Sequence, residues 1–568
     1  MDKLVYVDDY DFLDLFMSDS NIGARKRRNV RNHLFIIHGI INSVIQGESG
    51  CIDIQVYDIV QAFDALWLDD CLNDVYDAMP KDKRDDKLAL LYNINTHVKV
   101  AVKTPVGRTR RGSIHNVITQ GDVFGPILCS NQVDTFGKEC LEQEKYTYTY
   151  NGDVEIPPLG MVDDLICISE CGHKTAMMNA YIGFKTNSKK LQFGGDKCKK
   201  MHVGHVTEDF KCQDLSVDKW TEVEGRNEET GDPQMTDVFD GEQTMEDKMS
   251  EKYLGDIISH DGKNMKNVMA RVSRGTGITN QIMSILEEIC FGRYHFEVAV
   301  LLRNSLFLSS VLTNSEAWYN LKNEEINKLE QADEILLRKI LECPASTPKE
   351  MLYLELNCLP IRYIIKSRRV NFLSCILREN EDSLIYKFLH AQLRKPNKND
   401  WGQTVLADLE ELNISTPLSE IHRVPRESFK NLISEKISVL ALSYLNTEKS
   451  RHSKVLNLVH RNMKMQDYLS PNDMGIDEAK FLFQLRTRMI EVRNNYSGSH
   501  QDLMCPLCKS EVDTQQHLLE CNKLEQQGDM VSSPIKYCDI FSGKLEDKVN
   551  VARIIQKKFK LRKDLLKK

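Results

Sequence analysis

Apolar and polar positions change their period several times along this chain. Residues 33–46 (HLFIIHGIINSVIQ) place Leu34, Ile37, Ile41 and Val44 at helical spacing on one face. In residues 51–57 (CIDIQVY) the period drops to two: Ile52, Ile54 and Val56 alternate with Asp53 and Gln55, which predicts a half-buried strand. Leu68, Leu72, Val75 and Met79 then space a helix that Pro80 ends. Val98, Val100 and Val102 alternate again and lead into a turn rich in Gly and Arg. The run GMVDDLICIS, Gly160 to Ser169, predicts two strands meeting at an acidic pair, and KYLGDIIS, Lys252 to Ser259, predicts a strand closed by Asp261-Gly262. The first 200 residues therefore read as α+β.

From about residue 265 the spacing is helical for some two hundred residues. Segments 296–313 and 329–341 read as long amphipathic helices, Pro344, Pro348 and Pro360 punctuate the region, and Pro396 to Asp400 (PNKND) reads as a linker. At 568 residues the chain exceeds one core and suggests three or four domains. No stretch approaches the ~18 apolar residues of a membrane span, and the acidic N-terminus lacks a signal pattern. Most of the sixteen cysteines sit singly in apolar segments, as Cys129, Cys167 and Cys290 do, which fits reduced thiols in an intracellular protein.

Net charge changes the picture only once it is placed. The chain carries −8, but residues 205–250 hold fourteen acids against four bases, or −10, and read as an acidic surface insertion. The remainder is near +2, with basic density at residues 25–28 and from Arg553 to Lys568.

Four Asp-Asp pairs occur, and the ordinary reading of such a pair is a solvated turn. Asp163-Asp164 differs because apolar residues flank it on both sides (Leu159, Met161, Val162; Leu165, Ile166). Carboxylates embedded in apolar strands cost several kcal/mol each unless paired or bound to metal. Asp58 ends the alternating strand, and it can converge with the pair if the strands are neighbours. Hard oxygen ligands of this kind suit Mg²⁺. Two such ions activate an attacking hydroxyl and stabilise a leaving pyrophosphate, chemistry that is mostly positioning and charge neutralisation.

At this point the chain resembles a known family, the reverse transcriptases of non-LTR (LINE-like) retrotransposons. SNIGARKRRN (Ser20 to Asn29) resembles its fingers block, and YDIVQAFDALW (Tyr57 to Trp67) the block with its first metal aspartate. TQGDVFGPILCSNQVD (Thr119 to Asp134) resembles its Gln-Gly block, and MVDD (Met161 to Asp164) its paired-aspartate box. LQFGGDKCKKMHVG (Leu191 to Gly204) resembles its Lys block, and KYLGDIIS its primer grip. The resemblance implies a right-hand palm with fingers and a helical thumb, then a helical C-terminal region with a small zinc knuckle. It implies an RNA-directed DNA polymerase with an RNA template, a DNA primer, deoxynucleoside triphosphates and two Mg²⁺ ions, no membrane partner, and a nuclear location. Asp58, Asp163 and Asp164 would hold metal, with the Ile59 carbonyl as a further ligand. Phe63 would exclude a ribose 2′-hydroxyl, or is a simple core aromatic. Gln120 and Gly121 would line the nucleotide. Lys197 would protonate pyrophosphate, or is a solvated charge. Arg25 and Arg28 are candidates for triphosphate or template phosphates. Only 19 residues precede the fingers block, no endonuclease segment is recognised, and Gly125 replaces a usual small hydroxyl residue, so the expectation is a truncated copy. The implied layout is 1–250 partial fingers and palm, 251–345 primer grip and thumb, 346–495 helical region, and 496–568 knuckle and basic tail. The rivals are a catalytically inactive nucleic-acid-binding relic of such an element and a plain zinc-binding scaffold.

Cys505, Cys508, His517 and Cys521 put three sulfurs and one imidazole within seventeen residues, a spacing that fits one structural Zn²⁺. The alternative is reduced cysteines near a chance histidine. Zinc would supply folding energy to a segment with little core of its own. The tail after it, ARIIQKKFKLRKDLLKK, has eight Lys/Arg and one acid, and reads as a phosphate-binding helix or a solvated terminus.

Overall fold

The computed structural model describes residues 17–567 apart from 24, 26–27, 48–49, 61–65, 79–91, 94–98, 102, 114–124, 144–146, 171, 206–214, 227–232, 290, 456–457, 459, 472–473 and 526–535. It divides into two compact units. The first takes residues 1–266, 316–321 and 375–407; the second takes 267–315, 322–374 and 408–568.

The first unit mixes helix and sheet. The elements that build its central part are α1 (Val30–Gln46), β1 (Cys51–Asp58), α2 (Leu68–Ala78), α3 (Gly125–Gln143), β2 (Leu159–Met161), β3 (Asp164–Glu170), α4 (His173–Ser188), β4 (Lys199–Gly204), β5 (Ser216–Arg226), β6 (Pro233–Thr244), β7 (Glu246–Asp247), β8 (Ser250–Tyr253) and β9 (Asp256–Ser259). Five strands form the main sheet in the order β7-β4-β1-β3-β2, antiparallel except at the β7 edge. Ile54 of β1 stands opposite Ile168 and Met201, Ile52 opposite Val203 and Val56 opposite Ile166. At the strand end, Tyr57 and Ile59 join a core with α2, α3 and α4 residues such as Leu72, Val75, Phe136 and Ile182.

β1 is not half-buried as its alternation predicts, because Asp53 and Gln55 are both fully enclosed. Helix α4 covers their face and supplies partners. Thr175 donates to Asp53 at 2.9 Å and Asn179 takes the Tyr57 hydroxyl at 2.8 Å, while Gln55 reaches Ser169 at 3.0 Å. His202 on β4 adds a 2.9 Å contact to Asp53. Buried polar groups with a complete set of partners lose little by leaving water.

Within the acidic stretch β5 and β6 pair as a long hairpin, and β7 docks on β4 with Lys199 2.9 Å from Glu246. Two other expectations change. The single strand predicted at 252–259 is a hairpin, because Leu254 and Gly255 both take positive φ (46° and 89°) in a two-residue turn. Pro396–Asp400 is no linker, since Asp400 is buried and accepts the Asn42 side-chain amide at 2.9 Å. Trp401 beside it stacks edge-on to Phe35 of α1, with ring centroids 5.0 Å apart.

The second unit is helical, with long helices at Met265–Glu288, Asn323–Leu341, Ile361–Ile376, Arg426–Lys449 and Leu545–Lys567. The helix predicted across 296–313 is interrupted by a π turn at Arg303–Phe307. Arg303 there is buried, and its Nε and Nη2 donate to the two Asp333 oxygens at 2.7 and 2.6 Å. A second enclosed charge, Glu355, accepts from Arg486 at 3.0 Å, His460 at 3.0 Å and the Tyr468 hydroxyl. No helix among the described residues is long and apolar enough to cross a membrane.

Candidate active site and metal centre

Asp58 and Asp164 are register partners across β1 and β3, so both carboxylates sit at one end of the central strands. Asp163 lies next to them in the two-residue turn joining β2 to β3, where Met161 pairs with Asp164. Val162, the other turn residue, has φ 60°, a conformation that a β-branched residue adopts only under strain of about 1–3 kcal/mol.

The segment Ser20–Gly23 holds that turn. Ile22 N–H donates to the Gly160 carbonyl at 3.0 Å and Gly160 N–H to the Ser20 carbonyl at 3.0 Å, so the segment runs as an extra bridge along β2. The Asn21 amide donates to the Ser130 carbonyl on α3 at 2.6 Å, and its oxygen accepts from Gly23 N–H at 2.9 Å. A Cβ on Gly23 would lie 2.6 Å from the Val162 nitrogen, so only glycine permits this approach.

A second support comes from the Leu191–Gly204 segment. Val60 N–H donates to Gln192 and Gly194 N–H to the Asp58 carbonyl, each at 2.9 Å. A Cβ on Gly194 would come to 3.0 Å from Asp58 Oδ2. The turn that follows presents Lys197, whose Nζ is 3.0 Å from Asp58 Oδ2 while its side chain is 70% exposed.

Burial pushes the Asp164 carboxyl up to about 6, and the charges of Asp163 and Asp58 push the same way against Lys197. Lys197 is held above its usual range, first by its hydrogen bond to Asp58. One ammonium thus faces three carboxylates. The all-oxygen donor set is of the kind that Mg²⁺ takes, although among the described residues only the cysteine–histidine group brings its ligand atoms close enough together to hold one ion.

Ile59 is buried directly after Asp58. Arg25 and Arg28 are engaged elsewhere. Arg25 is buried and donates to the Asn21 carbonyl at 2.8 Å and to that of Ser18, whereas Arg28 pairs with Asp19 and, at 3.4 Å, Glu379. Phe63, Gln120 and Gly121 lie outside the described residues.

In the second unit Cys505, Cys508, His517 and Cys521 converge, with all four ligand atoms within 4.8 Å of one another, an arrangement that could hold a metal ion. Cys505 and Cys521 sulfurs are 4.0 Å apart, and Cys508 Sγ lies 3.3 Å from His517 Nε2. Lys509 at φ 56° turns the chain back, and its N–H donates to the Cys505 carbonyl at 2.9 Å. Burial pushes the Cys505 thiol up to about 11. At Cys508 burial acts the same way, but hydrogen bonds from Ser510 and Glu511 outweigh it and bring the thiol down to about 6, towards the thiolate that binds metal.

Glu511 was not legible as part of this centre. Its carboxylate accepts from His517 Nδ1 at 3.0 Å, which turns Nε2 towards the sulfurs, the usual orienting contact behind a metal-bound histidine. The segment that carries these four residues also has more support than its sequence suggests. Buried Asp513 accepts from Arg562 of the basic tail at 2.6 Å, and Lys558 donates to the Leu519 carbonyl. Arg553 and Lys563 pair with Glu478 and Glu491 at 2.9 and 2.8 Å. Much of that tail is therefore a packed helix.

No family model and no curated protein matches the chain. Among solved structures it overlaps a telomerase from Candida tropicalis in its apo form, with TM-score 0.33 and 10% identity, covering 76% of this chain and 60% of that one. It also overlaps a telomerase from Candida albicans in complex with the TWJ fragment of telomeric RNA, with TM-score 0.34 and 10% identity over 70% and 58% of the two chains. In each case the match spans less than two thirds of the telomerase chain, and overlap at this level leaves the fold to be read from the chain's own elements.

Proposed function

We propose that this chain is an RNA-directed DNA polymerase of the reverse-transcriptase type, extending a DNA primer on an RNA template. The observation that carries the reading is the cluster of three carboxylates at one end of a buried sheet, with Asp58 in register with Asp164 and Asp163 at the adjoining turn. Its motif order, from the Ser20–Asn29 block to the Lys252–Ser259 block, supports a non-LTR retroelement origin.

In this reading Asp58, Asp163 and Asp164 would hold two Mg²⁺ ions, which when bound would supply charge neutralisation and a more acidic primer hydroxyl. The Ile59 carbonyl adds a ligand. Lys197 carries its proton next to the cluster and delivers it to departing pyrophosphate. Phe63 rejects ribonucleotides, and Gln120 and Gly121 line the incoming nucleotide. The cysteine–histidine centre takes one structural Zn²⁺, which its donor set fits.

Primer extension on an RNA template with Mg²⁺ tests the proposal. Asp163→Asn is expected to abolish extension while the circular dichroism spectrum is unchanged; equal activity in the variant would remove the mechanism. Phe63→Ala should raise the ratio of ribonucleotide to deoxyribonucleotide incorporation. The internal pairing of Arg25 and Arg28 favours a second reading, an inactive nucleic-acid-binding relic. That reading predicts template binding without extension by the wild type.

A further inference from the structure

In a protein of net charge −8, the thirty-five residues from Lys87 to Gly121 hold six lysines and arginines and no acid. Within them the structure describes an exposed arm of two nested antiparallel ladders. Lys99–Val100 pairs with Gly112–Ser113, and Lys103–Thr104 with Gly107–Arg108. The Thr104 hydroxyl donates to the Gly107 carbonyl at 3.0 Å and braces the turn. Val106 at the tip is 98% exposed.

Lys99, Lys103, Arg108, Arg110 and Arg111 are all exposed on this arm. Lys103 and Arg108 are register partners, so two like charges stand directly opposite each other. Such a pair destabilises a ladder. Chance surface charge is normally interspersed with acids, whereas here an anion has to come from outside the arm. Repeated guanidinium forks along an extended ribbon match a row of phosphates, which each fork can grip by two hydrogen bonds. A membrane surface fits less well: among the arm's described side chains only Pro105 and Val106 are exposed and apolar, far less surface than interfacial anchoring uses.

We propose that Lys99, Lys103, Arg108, Arg110 and Arg111 grip the sugar–phosphate backbone of a nucleic-acid strand. This goes beyond the polymerase reading, because binding through the arm requires no catalysis.

The test uses the full chain with Lys103, Arg108, Arg110 and Arg111 changed to Gln, and a fluorescent RNA–DNA hybrid duplex titrated over a series of KCl concentrations. Four lost phosphate contacts should flatten the slope of log affinity against log salt by about 3 to 4, and weaken binding at physiological salt on the order of tenfold or more. An unchanged slope overturns the proposal. So does a variant that loses phosphatidylserine vesicles but keeps its duplex slope. Lys103→Gln alone should melt no lower than wild type, since it removes a repulsive pair; a lower melting point would make these charges structural and sink the idea. Asp163→Asn should leave the slope where it was, so the arm and the polymerase reading fail separately.

Discussion

His33 is buried on α1, with Nε2–H donating to the Ser20 carbonyl at 2.9 Å and Nδ1 3.3 Å from the Tyr253 hydroxyl. Burial pushes it down to about 3 from an ordinary 6.5, against the Ser20 contact. The unfolded chain therefore binds a proton at His33 that the folded chain refuses, in the window between those values. Stability from this residue is complete above pH 6.5 and is lost as pH falls towards 3. The expected outcome is that a His33→Asn variant, melted across that window, shows a shallower loss of stability than wild type. A parallel loss in both would exclude His33 as the cause. In the second unit Glu355 is held down to about 2 by Arg486 and His460 in spite of its burial. Glu355→Gln should cost about 3–5 kcal/mol in chemical denaturation, because Arg486 would be left enclosed without a counter-charge.

Among the elements, the acidic hairpin depends on a segment far away in sequence. Gly23→Ala would drive a Cβ against the Val162 backbone, and the backbone shift should cost about 1–3 kcal/mol. Because the displaced turn carries Asp163, extension should slow at saturating nucleotide more than nucleotide KM rises. A change confined to melting temperature, with kinetics intact, would show that the segment only stabilises. The hairpin itself was legible, since Asp163-Asp164 breaks an apolar run, and the period-two pattern of 51–57 located Asp58. The buttress was not. The resemblance marked the Ser20–Asn29 block but not the roles of Gly23 and Asn21, whose partners Val162 and Ser130 come from other parts of the fold. For the same reason alternation misread Asp53 and Gln55 as solvent-facing: the helix that covers them lies more than a hundred residues on. Arg25 and Arg28 show the limit of motif reading, as their carbonyl and carboxylate partners include Glu379, 351 residues away. Cysteine spacing worked better because ligand geometry constrains spacing directly, though Glu511 carries no mark in the sequence.

For the whole molecule, the two candidate metal centres sit in different units, Asp58, Asp163 and Asp164 in the first and the cysteine–histidine cluster in the second. If the proposed zinc is bound there, chelation is expected to raise amide hydrogen exchange at residues 505–521 and along Leu545–Lys567, which is tied to the cysteine–histidine segment through Arg562 and Lys558. Exchange in β1 should stay slow. An equal rise there, or metal analysis showing no zinc in purified protein, would contradict the assignment.

The first unit is stitched from three separated stretches of chain, 1–266, 316–321 and 375–407, and this sets an order of events on the ribosome. Phe35 on α1 meets Tyr319, Phe388 and Trp401, and Gly39 leaves room for Phe388 and Tyr319 to close in. The Trp318 indole donates to buried Asp256 at 2.9 Å. Until residue 401 has been translated, the apolar flank of α1 lacks its full cover, and the nascent chain must wait through more than a hundred residues of the second unit. Such delayed closure slows folding and exposes aggregation-prone surface. A fragment ending at residue 266 should accordingly bind hydrophobic dyes and precipitate, and joining residues 316–321 and 375–407 to it through short linkers should restore solubility.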